Sequence, residues 1–130
     1  MKRRLLSIVT FVALFAAGTG YAEEAATKTY PGPQEGAPNI YKQILDNEAV
    51  RVSEIKFASG EKAAMHTHPW PHVIYILDPG QLTITKLDGT SAVLDGKAGD
   101  VMYMGIETHE AVNTGTTTLR ATVTEIKQAA

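Results

Sequence analysis

The sequence contains no cysteine, which excludes disulfides, cysteine-ligated zinc, iron–sulfur clusters and a thiol nucleophile. Aromatic residues make up only 7% of the 130 residues, and there is one tryptophan. A strong excess of one charge is also missing, because 12 Lys and Arg stand against 14 Asp and Glu. With 44% hydrophobic residues, the composition is typical of one globular domain and excludes a disordered, collagen-like or coiled-coil chain.

The one long hydrophobic run lies at the N-terminus and has the pattern of an export signal. Residues 2–4 are basic, residues 5–17 are apolar, and residues 20–22 have the small-x-small form of a cleavage site. The run is too short to span a bilayer comfortably. We therefore predict a signal peptide over residues 1–22, a periplasmic or secreted location, and no membrane attachment after cleavage. The alternative is a retained N-terminal anchor.

The charge that remains after export bears on the choice of partner. The predicted signal peptide is basic and carries no acidic residue, so its removal leaves a chain more acidic than the net −2 of the whole sequence. A net acidic chain without a Lys/Arg cluster is not typical of nucleic-acid binding, and we expect no nucleic-acid partner. A domain this small without disulfides must depend on its apolar core, on oligomerisation or on a metal.

The rest of the chain divides into an arm and a β-rich domain. Residues 23–39 are polar and rich in Pro and Gly, which predicts an extended arm or linker, either disordered or docked on a neighbour. From residue 40 to 127, seven or eight short β-type segments alternate with turns, and Asp88-Gly89 is a strong hairpin signal. This spacing predicts an all-β sandwich or barrel. A short helix is an alternative over residues 40–47.

The four histidines form a pattern of their own. His66 and His68 are two residues apart, which places both on one face of a strand. His72 follows a Pro-Trp-Pro bend, and His109 begins a later segment. Burying an unpaired imidazole costs about 1–3 kcal/mol, and a shared metal relieves that cost. We predict that His66, His68, His72 and His109 ligate one divalent transition metal ion (Fe, Mn, Cu, Ni or Zn). The alternative is four separate surface or hydrogen-bonded histidines.

These residues, with glycines around them, resemble the motifs of the cupin superfamily. Gly60 precedes His66-Thr67-His68 by the expected spacing, His72 stands where many cupins have Glu, and Gly80 follows. Gly99, His109 and Asn113 follow the order of the second motif, although its Pro is replaced and His109 comes one residue early. The resemblance implies one cupin-type β-barrel (double-stranded β-helix or jelly roll) over residues 40–127. It also implies the four histidines as metal ligands, Asn113 as a turn residue, and a homodimer.

The chemistry of a metal site with four histidine ligands favours some functions but does not identify a single one. Four neutral ligands leave the full metal charge in place, which favours an anionic or enolate-like oxygen ligand from a small molecule. The first expectation is an exported, dioxygenase-like oxidoreductase, with an isomerase or lyase behind it. The alternatives are a non-catalytic periplasmic metal or small-ligand binder and a cupin with a purely structural metal. No catalytic acid or base is evident. The carboxylates are scattered in sequence, and we expect Glu107 and Glu110 to be solvated loop residues rather than partners of His109.

Overall fold

The computed structural model describes residues 28–127, so the predicted signal peptide lies outside the described residues. This part of the chain is almost entirely β-structure, which confirms the all-β prediction. One helical turn, α1 (Pro33–Gly36), is followed by nine strands. The strands are β1 (Tyr41–Asp46), β2 (Val50–Phe57), β3 (Lys62–His68), β4 (His72–Asp78), β5 (Gly80–Lys86), β6 (Ser91–Gly96), β7 (Val101–Met104), β8 (Glu107–Asn113) and β9 (Leu119–Ile126). Among the described residues, no helix has the length and apolarity needed to cross a membrane.

The strands form two antiparallel sheets that enclose the core between them. The first sheet has the order β1-β2-β9-β4-β7, and the second has the order β3-β8-β5-β6. Strand β9 shows why the sequence folds this way, because its residues alternate between buried and half-buried positions over most of its length. The buried apolar side chains include Ile55, Phe57, Ala63, Ile76, Leu82, Ala111, Leu119, Ala121 and Val123.

The segment before β1 packs on the barrel. The described part of the predicted arm (residues 23–39) contains α1, whose first proline suits the start of a helix. This turn contacts both β1 and β3, which are edge strands of the two sheets. Pro33 is buried, and the carbonyl of Pro31 accepts a 2.9 Å hydrogen bond from the Thr67 N–H of β3. The gap between β1 and β3 is therefore covered by the chain itself.

The helix considered for residues 40–47 is wrong, and the hairpin prediction at Asp88-Gly89 is confirmed. Residues 41–46 form β1, which pairs with β2 along its length. Asn47 stabilises the turn between the two strands. Its Oδ1 accepts hydrogen bonds from the N–H groups of Ala49 and Val50. Cross-strand pairing outweighs the weak helical preference here. At the second turn, Gly89 has a positive φ of 83° and joins β5 to β6.

Candidate metal centre

Three strands from both sheets carry the four histidines to one end of the interior. His66 and His68 lie on β3, His109 on β8, and His72 is the first residue of β4 in the opposite sheet. Antiparallel pairing sets His66 directly opposite His109. All four side chains are buried, none more than 4% exposed. Of the alternative of separate surface or hydrogen-bonded histidines, burial contradicts the surface position.

A bulge in β3 makes the inward arrangement possible. The β3–β8 register shifts between Ala63 and His66, and both of these residues are buried. Strict alternation would send residues three apart to opposite faces of the sheet, and the extra bulge residue corrects the parity. The bulge therefore lets β3 contribute Ala63 to the apolar core and still direct His66 and His68 inward.

The rings of His66, His68 and His109 form a compact group. Each offers one nitrogen, and the three nitrogens lie within 4.8 Å of one another. The ring centroids are 4.8 Å apart for His66 and His109 and 5.1 Å apart for His66 and His68. His72, the fourth predicted ligand, stacks against this group, with its ring 4.1 Å from that of His68 and an interplanar angle of 22°. The structure thus assembles three of the predicted ligands and places the fourth beside them.

Hydrogen-bond acceptors hold the outer nitrogen of three of the rings. His66 Nδ1 lies 2.7 Å from the carbonyl oxygen two residues earlier, and His72 Nδ1 lies 3.3 Å from the carbonyl oxygen of Trp70. His68 Nδ1 lies 3.2 Å from Glu125 Oε1. Carbonyl and carboxylate oxygens accept, so we assign the proton of each ring to Nδ1 and the free lone pair to Nε2. Metal-ligating histidines commonly have this arrangement, with the second nitrogen bonded to an acceptor.

The fourth ring has a close but unbonded neighbour. His109 Nδ1 lies 3.0 Å from Glu107 Oε1, yet neither atom has a hydrogen-bond partner, because the contact lacks the required direction. The same carboxylate oxygen is 3.8 Å from His72 Nε2. Leaving buried polar atoms unpaired costs about 1–3 kcal/mol each. A bound ion or water at this point would relieve that cost, so the donor set fits a metal.

His66, His72 and His109 are neutral over a wide pH range. Burial is the main cause that lowers the pKa of His66 and of His72 to about 4, and the neighbouring His68 contributes to this lowering. Burial is also the main cause that lowers the pKa of His109 to about 3, with a contribution from the adjacent histidines. Neutral imidazole is the form that ligates metals. At neutral pH these rings therefore have lone pairs free for an ion.

Glu125 is the main residue of the candidate site that sequence reasoning missed. This carboxylate is only 1% exposed and contacts His68, and it also accepts a 3.4 Å hydrogen bond from Gln34 Nε2 of α1. Burial raises the pKa of Glu125, but the contacts with His68, Gln34 and Arg51 outweigh burial and hold it below its usual value. Glu125 is therefore ionised and holds the His68 ring in position.

The alternation of inward and outward residues along β9 and β8 could have located both carboxylates near the histidines, Glu125 and Glu107. Glu125 continues the inward alternation of β9 after Val123, so its parity already pointed into the barrel. The expectation that Glu107 is a solvated loop residue is wrong, because it lies on β8 in inward register with His109. Burial raises the pKa of Glu107. Glu110, one residue beyond His109, also lies on β8 rather than in a loop, but its side chain pairs with Lys62 at the surface.

A tyrosine and a small cavity complete the site. Tyr41 of β1 is buried, and its hydroxyl lies 3.4 Å from His66 Nε2. Burial, with the charges of Glu125 and Glu107, raises the pKa of Tyr41 well above its usual value, so the hydroxyl stays protonated. The cavity beside Tyr41 and the histidines has a volume of about 30 Å³ and an otherwise mainly apolar lining. This volume holds one or two water-sized molecules.

Asn113, the other polar residue of the predicted second motif, has a structural role. Its side-chain N–H groups donate to the carbonyl oxygens of Phe57 and Thr117 at 2.9 and 2.8 Å. Its Oδ1 accepts a hydrogen bond from the Gly115 N–H. Asn113 therefore ties the β8–β9 turn to β2, as expected for a turn residue.

Solved structures share this fold at low sequence identity. A cupin domain from Bordetella pertussis Tohama I is 24% identical, and the match covers 78% of this chain and 99% of that chain with a TM-score of 0.64. An RmlC-like cupin family protein with a double-stranded β-helix fold, from Methanocaldococcus jannaschii, is 19% identical over 68% and 79% of the two chains, with a TM-score of 0.57.

A third similar structure is that of the polyketide cyclase RemF from Streptomyces resistomycificus, which is 20% identical over 68% of this chain and 64% of that chain, with a TM-score of 0.53. No protein-family model matches the sequence, and no curated protein matches it. The chain thus has the cupin fold, a double-stranded β-helix, as its motifs predict. Similarity at this level of identity shows the fold and does not identify a metal, a substrate or a reaction.

Proposed function

We propose that this chain is an exported protein that binds one divalent transition metal and acts as a dioxygenase-like oxidoreductase on a small molecule. The ligands are His66, His68 and His109, with His72 as the fourth. The observation that carries the proposal is the buried cluster of His66, His68 and His109, each of which offers one nitrogen within 4.8 Å of the others. The acceptors on Nδ1 of His66, His68 and His72 leave Nε2 as the unprotonated nitrogen of these three rings, with the Tyr41 hydroxyl 3.4 Å from that of His66. Isolated core histidines would not need to hold their nitrogens this close together.

The residues of the chain have separate parts in this function. A bound metal of the Fe, Mn, Cu, Ni or Zn group would supply Lewis-acid chemistry, and the redox-active members would also supply electron transfer. Glu125 orients His68, and the Tyr41 hydroxyl lies within reach of the same cavity as a neutral hydrogen-bond donor. The apolar wall around the cavity excludes bulk water.

A second candidate is non-redox chemistry or plain binding at the same site. The cyclase among the structures with this fold supports a non-oxidative reaction, which agrees with the isomerase or lyase alternative. The small cavity of about 30 Å³ supports a non-catalytic metal or small-ligand binder. All these candidates require the metal. They differ in whether a bound small molecule is turned over and in whether that turnover consumes oxygen.

The test begins with the metal content of the mature chain, residues 23–130, purified from the periplasm without a histidine tag. Elemental mass spectrometry should find about one transition metal ion per chain. Oxygen consumption by the loaded protein, screened against catechols, enols and carboxylates, then separates the candidates. Turnover with oxygen supports the oxidoreductase, whereas ligand binding without turnover supports the binder. A chain that neither carries nor takes up metal would contradict both.

A further inference from the structure

A groove runs along the side of the molecule opposite α1. The edge strands on this side are β6 of one sheet and β7 of the other, which are not paired to each other in the described part of the chain. The gap between them forms two adjoining depressions of about 310 and 290 Å³. We call these two depressions the β6–β7 groove. Ile84, Ala92 and Met104 line both of them.

The β6–β7 groove adjoins the cavity of the metal centre and shares three lining side chains with it. Ile84, Leu94 and Met104 line the larger depression and also line the cavity beside the histidines. Met104 is the backbone partner of His72 in the β4–β7 pairing. These three side chains therefore form the junction between the groove and the candidate metal ligands.

The volumes of the inner cavity and of the groove differ by about tenfold, which bears on where an organic molecule could be bound. The inner cavity of about 30 Å³ admits an ion and one or two small ligand atoms, but not the body of a substrate. The larger depression of about 310 Å³ lies at the lower end of the range for small-molecule sites. A substrate of the metal centre must therefore keep most of its volume in the groove.

The lining sets the chemistry of that molecule. The larger depression is lined by aliphatic and methionine side chains and Tyr103. Lys86 lines the smaller depression and is the one charged residue among the described lining residues of the groove. Lys86 lies directly opposite His109 in the β5–β8 pairing, at the end nearest the histidines. A cation at this point favours an anionic head group beside the metal centre.

We infer that the β6–β7 groove binds an organic anion with an apolar body, whose oxygen-donor head group passes Met104 to reach the metal. This inference rests on the proposed function, because it gives the substrate class of the same metal centre. It adds that selectivity lies in the edge strands β6 and β7 rather than in the histidine cluster.

Two hydroxamates test this inference, because they share one metal-binding head and differ in the body. Binding of acetohydroxamate and benzohydroxamate to the Co(II)-loaded protein is measured by isothermal titration calorimetry. The phenyl ring should bury apolar surface in the groove, so benzohydroxamate should bind at least about tenfold more tightly. Equal affinities would overturn the inference and leave the metal centre intact. Failure of both probes to bind would overturn the open metal site of the proposed function itself.

Two variants in which tryptophan replaces an exposed alanine test where the phenyl ring is bound. Ala92 is exposed, lines both depressions and does not line the inner cavity. Ala92→Trp should therefore remove the advantage of benzohydroxamate and leave acetohydroxamate affinity within about twofold. The matched control is Ala49→Trp, in the exposed turn between β1 and β2, which should keep the full advantage. If Ala92→Trp keeps it as well, the phenyl ring is bound elsewhere and the groove assignment is wrong.

Discussion

At the scale of single residues, the candidate metal centre depends on what the outer nitrogen of each imidazole contacts. The backbone satisfies His66 and His72 locally, since each bonds a carbonyl only two residues earlier. His68 instead depends on Glu125, which is far away in sequence. A residue that orients a ligand without touching the ion raises the basicity of that ligand, so its loss weakens metal binding.

The first prediction concerns Glu125. Glu125→Gln keeps an acceptor for His68 but removes the negative charge, and metal affinity should fall about tenfold or more. Affinity is measured by competition with a chelator, with circular dichroism to confirm the fold. Glu110→Gln is the matched control, because Glu110 pairs with Lys62 at the surface. Equal affinities for the two variants would show that Glu125 does not support the ligand.

The second prediction is that the metal-free protein loses stability as the pH falls. The folded-state pKa values of His66, His72 and His109 lie at about 4, 4 and 3, below the ordinary 6.5. Between these values and pH 6.5 the unfolded chain binds more protons than the folded one. The free energy of unfolding therefore decreases as the pH is lowered through this range. By pH 5 the loss should be on the order of 1–2 kcal/mol for each histidine.

Urea unfolding at pH 7.5 and pH 5 measures this loss. His72→Gln removes one titrating group and should give a shallower dependence on pH than the unsubstituted protein. A free energy of unfolding that is unchanged between the two pH values would mean that the histidines take up protons in the folded protein as readily as in the unfolded chain. That result would contradict the effect expected from their burial.

At the scale of elements, turns and irregularities place the strands. The β3 bulge sets the face of His66 and His68, and the tight contact between the start of β5 and the start of β9 joins the two sheets. Gly80 is essential to that contact, since a Cβ atom there would lie 2.7 Å from Leu119 Cβ and 3.2 Å from its Cα. The resemblance to the cupin motif had marked this glycine without a reason for it.

The third prediction follows from this contact. Gly80→Ala should lower the free energy of unfolding by about 1–3 kcal/mol, because Leu119 is completely buried and its backbone cannot move away. Gly105→Ala is the control, since a Cβ atom at that position meets no other atom within 4 Å. Chemical unfolding at neutral pH compares the two variants. A Gly80→Ala variant as stable as the control would contradict the close packing of β5 on β9.

At the scale of the whole molecule, the outer face of the larger sheet carries a row of mainly apolar side chains. Strand pairing aligns Leu45, Val52, Thr124, Val73 and Tyr103 in register across all five strands. These outward residues are half-buried or exposed in the single chain. A mainly apolar row across a whole sheet face favours association with another protein surface. It supports the homodimer expected from the sequence.

The fourth prediction is a homodimer through this row. Light scattering coupled to size exclusion should give twice the mass of the mature chain. Val73→Lys places a charge at the centre of the row and should give monomers. Val93→Lys, on the other sheet, is the matched control and should stay dimeric. A mass of one chain for the unsubstituted protein would contradict the prediction.

The sequence by itself determined the fold class and the chemical type of the site. Alternating apolar residues and turn signals such as Asp88-Gly89 act locally, so they indicated an all-β barrel, and the spacing of the histidines indicated which side chains to bring together. The errors lie where local signals are weak. Within the segment 40–47, residues 41–46 form a strand that pairs with β2, and this pairing is not a local property of the segment.

The tertiary structure decided the neighbours of each histidine, because these depend on pairing between distant strands. Register sets His66 opposite His109, and the packing of one sheet on the other brings Glu125 to His68. Neither contact follows from sequence spacing. The β3 bulge reverses the parity that simple alternation would assign. The groove between β6 and β7 exists because these two edges remain unpaired to each other while α1 covers the opposite edges, a property of sheet order that local sequence does not encode.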